Sequence, residues 1–536
     1  MSKEIRRVLN DGLYNAGILG FLRVLNKGLD RDFNRFTSGN AVVFYDSDLE
    51  TFDQFYFKTL VDTYEKDTVF FGIMEHHEKL LGINELNDAS SKIVDEAVKF
   101  LVEKGKRPSY ESAYSILSEK GILFDFSEAL SKLKRIVTQE EKKHLAIEIM
   151  EEMRKNCEVF LLKDIAYTRI QPFWKNMSFL LKTENKTDFY QAYNKSFLAP
   201  VKNFLSDTRK IPKKGLECCQ CNSLISSKEA GAMSWINDEG IDVNRKTSHY
   251  WDHNPDSFLC PICSLIYSCI PLGFFYSVNQ GIFVNQNQSV ERLANYYSSF
   301  SLRAIANDVQ DPFYTIVKKL ILEMEAEQAV NQIKNIQVLR RKNDQYYSHF
   351  FSKDMLRRLK NCKDLLERIV KIYYLRNTDY ISVFDEVLQR LLRNENLYSF
   401  MGGRLRDCIV EGRNPGFIIA LLKIQIIYFE KGDVNMALDI TSRGQRDGFF
   451  LKKSMAGDDK NENKIRGLSF KLMNALKSKN EYAFSDILFR QYFAEGKPIP
   501  KDIIEILGNE KNFLNYGTAF VSGLNSYEKN EENSQK

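Results

Sequence analysis

No Walker loop, no nucleophile elbow and no HExxH pair occurs in the 536-residue sequence. No pair of acidic motifs of the two-metal nuclease kind stands out either. These absences remove the usual sequence grounds for reading an NTPase, an α/β-hydrolase or a zinc protease. His76 and His77 adjoin without a partner motif. There is no internal repeat, which excludes a solenoid or propeller reading. A large charge of one sign is also missing: the net charge is only +5, too little for a protein that coats bare DNA by itself. A subunit that shares a nucleic acid with partners needs only local basic faces. The opening residues, Met1-Ser2-Lys3-Glu4-Ile5-Arg6-Arg7, carry no apolar signal core and no small-residue cleavage site. Together with nine cysteines, an odd number, this predicts a reducing cytoplasm where cysteines are thiols or metal ligands.

One stretch lacks charge altogether, from Ser257 to Val290. A membrane-spanning helix needs about 20 apolar residues. Pro261, Pro271, Gly273 and Gly281, a CxxC at the start and the polar end Asn285-Gln286-Asn287-Gln288 argue instead for buried strands and turns, and no membrane is expected.

What is present reads as an ordinary folded protein, 43% hydrophobic and 27% charged. Its length calls for roughly three folded units. The 38 Phe and 26 Tyr favour large cores or base-stacking surfaces. Leu9, Leu13, Ile18, Leu22 and Leu25 recur near helical spacing, and Ala41–Tyr45 reads as a strand. Residues 84–182 read as helices, with capping-box spacing at Thr138-Gln139-Glu140-Glu141. After residue 300 helices return. Met355, Leu356, Leu359, Leu366, Val370 and Tyr373 form an apolar stripe, and Phe417–Leu422 reads as a buried helix segment. Gly457–Asn463 is a polar loop. The expected architecture is a multi-domain α+β protein: a mixed α/β region at 1–200, a zinc-binding module at 201–290, and a helical C-terminal domain at 291–536 whose tail, 525–536, is disordered.

Residues 201–290 hold six of the nine cysteines. Cys218-Cys219-Gln220-Cys221 and Cys260-Pro261-Ile262-Cys263 form two CxxC knuckles. Two intervening residues let both sulfurs face one ion, and two knuckles supply the four sulfurs of tetrahedral zinc. The ligands are therefore Cys218, Cys221, Cys260 and Cys263. The long gap between the knuckles calls for a hairpin or small insertion. Cys269 reads as a buried apolar residue. His249 and His253 read as surface or outer groups, since four sulfurs suffice. Four thiolates leave no position for water or substrate, so the ion is structural. It contributes on the order of 10 kcal/mol to local folding.

Paired CxxC knuckles in a chain of this size resemble the CXXC–CXXC family of CRISPR-associated large subunits, those of type I-B Cascade. Asn15-Ala16-Gly17-Ile18-Leu19-Gly20-Phe21 looks like the family's opening helix. Pro271-Leu272-Gly273-Phe274 and Gly281–Asn285 look like its segment after the second knuckle. Asn463-Lys464-Ile465-Arg466 through Leu472, and Gly496–Pro500, are looser matches. The resemblance implies a non-enzymatic subunit that joins a CRISPR RNA, backbone subunits, a handle-capping subunit and small subunits. Such a subunit recognises the protospacer-adjacent motif in duplex DNA and assists strand separation. It also holds the displaced strand and helps recruit a helicase-nuclease. An internal start, for which Met401 is the guess, can supply the C-terminal helical part separately.

Duplex entry needs charge against phosphates and polar side chains that reach a groove. The polar candidates are Asn34, Thr37, Ser38, Asn40, Asn285, Gln286, Asn287 and Gln288. Arg209, Lys210, Lys213 and Lys214 precede the first knuckle as phosphate contacts. Two further basic clusters fit a displaced strand: Lys353, Arg357, Arg358, Lys360 and Lys363, and then Arg443, Arg446, Lys452, Lys453, Lys464, Arg466 and Lys471. The rival readings are a stand-alone zinc-ribbon nucleic-acid-binding factor, a metal-dependent nuclease, and a membrane anchor at 257–290.

Overall fold

The computed structural model describes residues 3–28, 33–206, 215–237, 258–277, 280–299, 313–318, 320, 336–342, 345–430, 432–455, 461–506 and 508–526. The chain forms two compact units, Met1–Ala306 with Gln337–Ser348, and Asn307–Ile336 with His349–Lys536. It is a mixed α and β protein with a cysteine cluster between residues 218 and 263 and a helical C-terminal region.

In the first unit, β1 (Glu4–Val8) leads to Asp11, whose carboxylate accepts from the Tyr14 amide and caps α1 (Gly12–Leu25). Every residue of α1 from Tyr14 to Leu25 is buried, so α1 is a core helix rather than an amphipathic surface one. β1 pairs antiparallel with β3 (Ala41–Tyr45), Glu4 opposite Tyr45, and β2 (Thr37–Ser38) covers the other edge of β3. A helical layer follows: α2 (Phe52–Tyr64), α3 (Val69–Leu81), α4 (Asp88–Gly105), α5 (Pro108–Glu119), α6 (Phe126–Leu133), α7 (Gln139–Lys155), α8 (Cys157–Ile165), α9 (Phe189–Tyr193) and α10 (Ala199–Ser206). Thr138 is the residue before α7, as its spacing predicts, but its side chain makes no capping bond. The helix starts there without the reciprocal pair.

The cysteine segment is built from two short hairpins, β4 (Leu216–Glu217) with β5 (Leu224–Ile225), and β6 (Gly231–Ala232) with β7 (Phe258–Leu259). After β7 the uncharged stretch departs from its expected strands and turns. It forms two helices first, α11 (Pro261–Ser268) and α12 (Ile270–Gly273). Pro261 and Pro271 both sit in a helix's first turn, where a missing N–H costs nothing and a fixed φ is an advantage. Only then come β8 (Phe275–Ser277) and β9 (Gln280–Asn285), followed by α13 (Val290–Ser299). A four-stranded sheet runs β11-β10-β9-β8, with β10 (Ile336–Lys342) antiparallel to β9 and β11 (Gln345–Phe351) at the edge.

α1 lies backbone-to-backbone on α11 and α12. A Cβ on Gly20 would stand 2.0 Å from the Cys269 carbonyl oxygen, and one on Gly273 2.0 Å from that of Ala16. No residue but glycine fits either place. Among the described residues no helix is long and apolar enough to cross a membrane.

The second unit is mostly helical. The apolar stripe predicted from Met355 to Tyr373 is divided: α14 (Lys353–Asn361) and α15 (Lys363–Ile369) meet at buried Cys362, and Tyr373 belongs to β12 (Tyr373–Arg376), which pairs with β13 (Asp379–Ser382). Then come α16 (Val383–Leu392), α17 (Tyr398–Glu411), α18 (Gly416–Phe429), α19 (Val434–Met455), α20 (Asn461–Lys477), α21 (Glu481–Ala494), α22 (Asp502–Glu505) and α23 (Glu510–Leu524). α18 buries most of its faces, as its unbroken apolar run predicts. Met401 lies buried within α17. Asn461, Glu462 and Asn463, read as loop, open α20 instead, and 456–460 lie outside the described residues, as does 527–536 of the tail.

Candidate metal centre

The first knuckle is the turn of the β4–β5 hairpin. The Cys218 amide donates to the Ser223 carbonyl (3.0 Å), and the Asn222 amide to the Cys218 carbonyl (2.9 Å). Asn222 takes a left-handed φ of 55° to close that turn, a conformation asparagine tolerates well. The second knuckle is the N-terminus of α11. Cys260 is its N-cap residue, and the Cys263 amide points back at the Cys260 sulfur (3.4 Å). A helix N-terminus favours negative charge on such a sulfur. The hairpins bring the two knuckles together: the Cys219 amide donates to the Phe258 carbonyl (2.9 Å), and the Cys260 amide to the Cys218 sulfur (3.2 Å).

As a result the sulfurs of Cys218, Cys221, Cys260 and Cys263 all lie within 4.8 Å of one another, with Cys221 and Cys260 at 3.7 Å. A tetrahedral ion with metal–sulfur bonds of about 2.3 Å requires sulfur–sulfur edges of about 3.8 Å. The four residues therefore fit one metal ion. Cys219 does not join them. Its sulfur stands 3.5 Å from that of Met233, and burial pushes its thiol up to about 11. Cys269 is fully buried beside the Leu265 carbonyl, as a residue of the apolar core, and burial lifts its thiol to about 12.

The electrostatics of the cluster call for a cation. Cys221 pushes the Cys218 thiol up, but hydrogen bonds from Cys260 and Cys263 outweigh it and bring Cys218 down to about 6. Hydrogen bonds from the other three sulfurs hold the Cys221 thiol well below its ordinary value. The same contacts, seen from the other side, push Cys260 and Cys263 well above theirs. Four sulfurs this close cannot all ionise together unless a positive ion sits among them.

Four residues of the N-terminal segment, Arg7, Asn10, Asp11 and Tyr14, complete the surroundings, and no spacing rule in the sequence pointed to them. Arg7 is 8% exposed and reaches the Cys260 sulfur at 3.8 Å. Burial works against its charge, but the sulfurs of Cys263, Cys260 and Cys221 outweigh that and raise its pKa. The Tyr14 hydroxyl lies 3.3 Å from the Cys263 sulfur, and burial, with Cys263 second, keeps that hydroxyl protonated. Gln220, inside the first knuckle, donates to Asp11 (2.7 Å) and to the Tyr267 hydroxyl (2.6 Å), and accepts from Asn10 (2.9 Å). The knuckle is thus tied to the cap of α1 and to the side of α11.

Two groups of nominated polar residues come together. Asn34 opens a single 3-10 turn, Thr37 and Ser38 form β2, and the Asn40 carbonyl accepts from the Leu9 amide (2.8 Å). The Val290 amide donates to the Gly39 carbonyl (2.9 Å), so the turn from β2 to β3 borders the segment after β9. In that segment Asn287 is exposed and Gln286 half-buried. Asn285 is different. It is 3% exposed, accepts from Asn15 (3.0 Å) and donates to Gln337 (2.9 Å), so its side chain faces the core and not a groove.

Arg209, Lys210, Lys213, Lys214, His249 and His253 lie outside the described residues. On α14, Arg357 and Lys360 are exposed, while Arg358 pairs with Asp354 at 2.7 Å; Lys353 and, on α15, Lys363 are half-buried. The later cluster divides. Arg443 is held by Asp439 and Asp502, and Lys452 by the Ser526 carbonyl. Arg446, Lys453, Lys464, Arg466 and Lys471 are exposed.

No curated protein and no solved structure matches the chain. Residues 213–275, which contain both knuckles, match the family model described as CRISPR-associated protein (Cas_CXXC_CXXC), so that over the metal-site segment this chain is similar to the CRISPR-associated CXXC–CXXC family.

Proposed function

We propose that the protein is the large subunit of a type I-B CRISPR RNA-guided surveillance complex, non-enzymatic, with one structural zinc ion held by Cys218, Cys221, Cys260 and Cys263. The observation that carries this reading is the four-sulfur cluster inside the segment that matches the CRISPR-associated family. Sulfur-only ligation is what zinc takes in structural sites, and it leaves no open coordination position. The metal's role is mechanical: it ties the β4–β5 hairpin to the start of α11 and so fixes the surface around β2 and β9.

In this reading pairing with the CRISPR RNA supplies sequence specificity, and the subunit reads the short protospacer-adjacent motif in duplex DNA. The adjoining turns with Asn34, Thr37, Ser38, Asn40, Gln286 and Asn287 support that assignment, because they are brought to one place by the Gly39–Val290 hydrogen bond. Strand separation, holding of the displaced strand and recruitment of a helicase-nuclease follow from membership in such a complex, together with backbone, handle-capping and small subunits.

The test is co-purification of the tagged chain with RNA and the products of neighbouring genes, followed by a binding screen of the assembly over flanking DNA motifs. Recovery of a CRISPR RNA and a preference for one short flanking motif is the expected result. A chain that purifies alone from its native host, without RNA, sinks the reading.

A further inference from the structure

Helix α21 is anchored along one side. Phe484, Leu488 and Tyr492 are buried, and the Phe484 ring meets Phe513 of α23 at 5.3 Å. The opposite side carries Tyr482, Asp486, Phe489 and Phe493, at intervals of four, three and four residues, which is the spacing of a single helix stripe. Tyr482 is 80% and Phe493 73% exposed, and Phe489 is half-buried. A lone exposed aromatic is ordinary, but three in line on one helix mark a contact surface. Charge lies within the stripe as well. Arg490 pairs with Asp486 one turn before it at 3.0 Å, and both side chains stay more than half exposed.

The order of these groups along the helix is self-complementary. Turned end for end about a point between Ile487 and Leu488, the stripe sets Tyr482 against Phe493 of a copy, and Phe493 against Tyr482. A centre half a residue further on sets Asp486 against Arg490, and Arg490 against Asp486. A two-fold contact requires this reciprocity: where one residue faces a second, the second must face the first. Here an aromatic pair and an ionic pair share one centre. Each guanidinium has five N–H donors in a fork, enough for its own carboxylate and for the copy's.

We propose that α21 is a self-association face, and that its occupant is α21 of a second copy of this chain, antiparallel about a two-fold axis. Charge complementarity selects this occupant. Asp486 in the middle of the stripe repels a phosphate backbone, and the two charges together oppose a lipid surface. Tyr482 and Phe493 stand about 16 Å apart at 1.5 Å per residue. A contact of that length is smaller than a standard interface, so the dimer is weak and forms with rising concentration. The inference goes beyond the proposed function and uses neither the metal centre nor any residue nominated for nucleic acid.

The test is sedimentation velocity of the full chain from about 1 to 100 µM. The parent is expected to pass from monomer to dimer with a Kd on the order of 10 µM. Tyr482→Ser and Phe493→Ser are each expected to weaken the dimer about ten-fold or more. Arg490→Asp makes the contact all acidic and Asp486→Arg makes it all basic, and each variant alone is expected to stay monomeric. Mixed in equal amounts, these two variants set two aspartates opposite two arginines, and a heterodimer of about the parent's affinity is expected. All four side chains are exposed or lie at the helix surface, and melting points equal to the parent's show that the variants fold. A parent that is monomeric up to about 100 µM overturns the proposal. So do single charge variants that dimerise like the parent, or a mixture of the two that stays monomeric.

Discussion

Arg7 places its guanidinium 3.8 Å from the Cys260 sulfur, across a sequence separation of 253 residues. Four thiolates around a divalent ion carry a net charge of −2, and a buried cation at this distance offsets part of it. The residue therefore belongs to the surroundings of the four-cysteine cluster without being one of its sulfurs.

Replacing Arg7 with methionine keeps the bulk and removes the charge. The expected outcome is a fall in metal affinity of about 10- to 100-fold, the usual cost of losing a group that supports a ligand. Competition with a chromophoric chelator measures it. Affinity equal to the parent's would remove Arg7 from the centre.

The cluster itself predicts about one zinc ion per chain by elemental analysis. The double variant Cys221→Ser, Cys263→Ser is expected to lose the ion and to melt at lower temperature, and a chelator should lower the parent's melting point in the same way. Cys219→Ser is the matched control, since that sulfur lies against Met233, and it should keep the ion.

The contact of α1 with α12 predicts sharp intolerance at two glycines. Gly20→Ala and Gly273→Ala each place a methyl group 2.0 Å from a carbonyl oxygen, and each should cost about 3 kcal/mol or more by chemical denaturation. Gly467→Ala, in α20 with open space around it, should instead stabilise by about 0.5–1 kcal/mol. Equal effects at all three would contradict the packing.

Asp164 predicts a pH dependence. It is 5% exposed, and burial lifts its carboxyl to about 6 despite hydrogen bonds from the Phe70 amide (2.8 Å) and the Tyr110 hydroxyl (3.0 Å). The folded chain holds this proton more tightly than the unfolded chain, so its contribution is present at low pH and lost as pH rises. Relative to Asp164→Asn, the parent should lose roughly 2–3 kcal/mol between about pH 4 and 6, with the two curves parallel above pH 7. A difference that grows in the opposite direction would mean the carboxylate is stabilised in its charged form.

The four-cysteine cluster was legible because CxxC spacing encodes local geometry, and the strand at Ala41–Tyr45 and the helix segment at Phe417–Leu422 because their apolar patterns are local too. Arg7, Tyr14 and Asp11 were not legible as parts of the centre. They reach it through the way β1, the cap of α1 and α1 itself lie against the knuckles and α11, which no short-range pattern records. Asn285 misled for the same reason. A polar run after a strand reads as a loop, but this asparagine is the middle of a buried chain of amides, Asn15 to Asn285 to Gln337, whose other members lie far away in sequence. The prolines at 261 and 271 misled through position. The same residue that ends a helix in its interior begins one in its first turn.

Gln337–Ser348 belongs to the first unit although 30 residues of the second, Asn307–Ile336, are made before it. The first unit is therefore discontinuous in sequence. When the four cysteines have left the ribosome, the strand that pairs with β9 has yet to be made, and Asn285 has no Gln337 to bond. The four-stranded sheet of β8 to β11 cannot be complete until those later residues have been made. A product ending at residue 306 would keep all four clustered cysteines and still leave the open edge of β9 exposed to other chains.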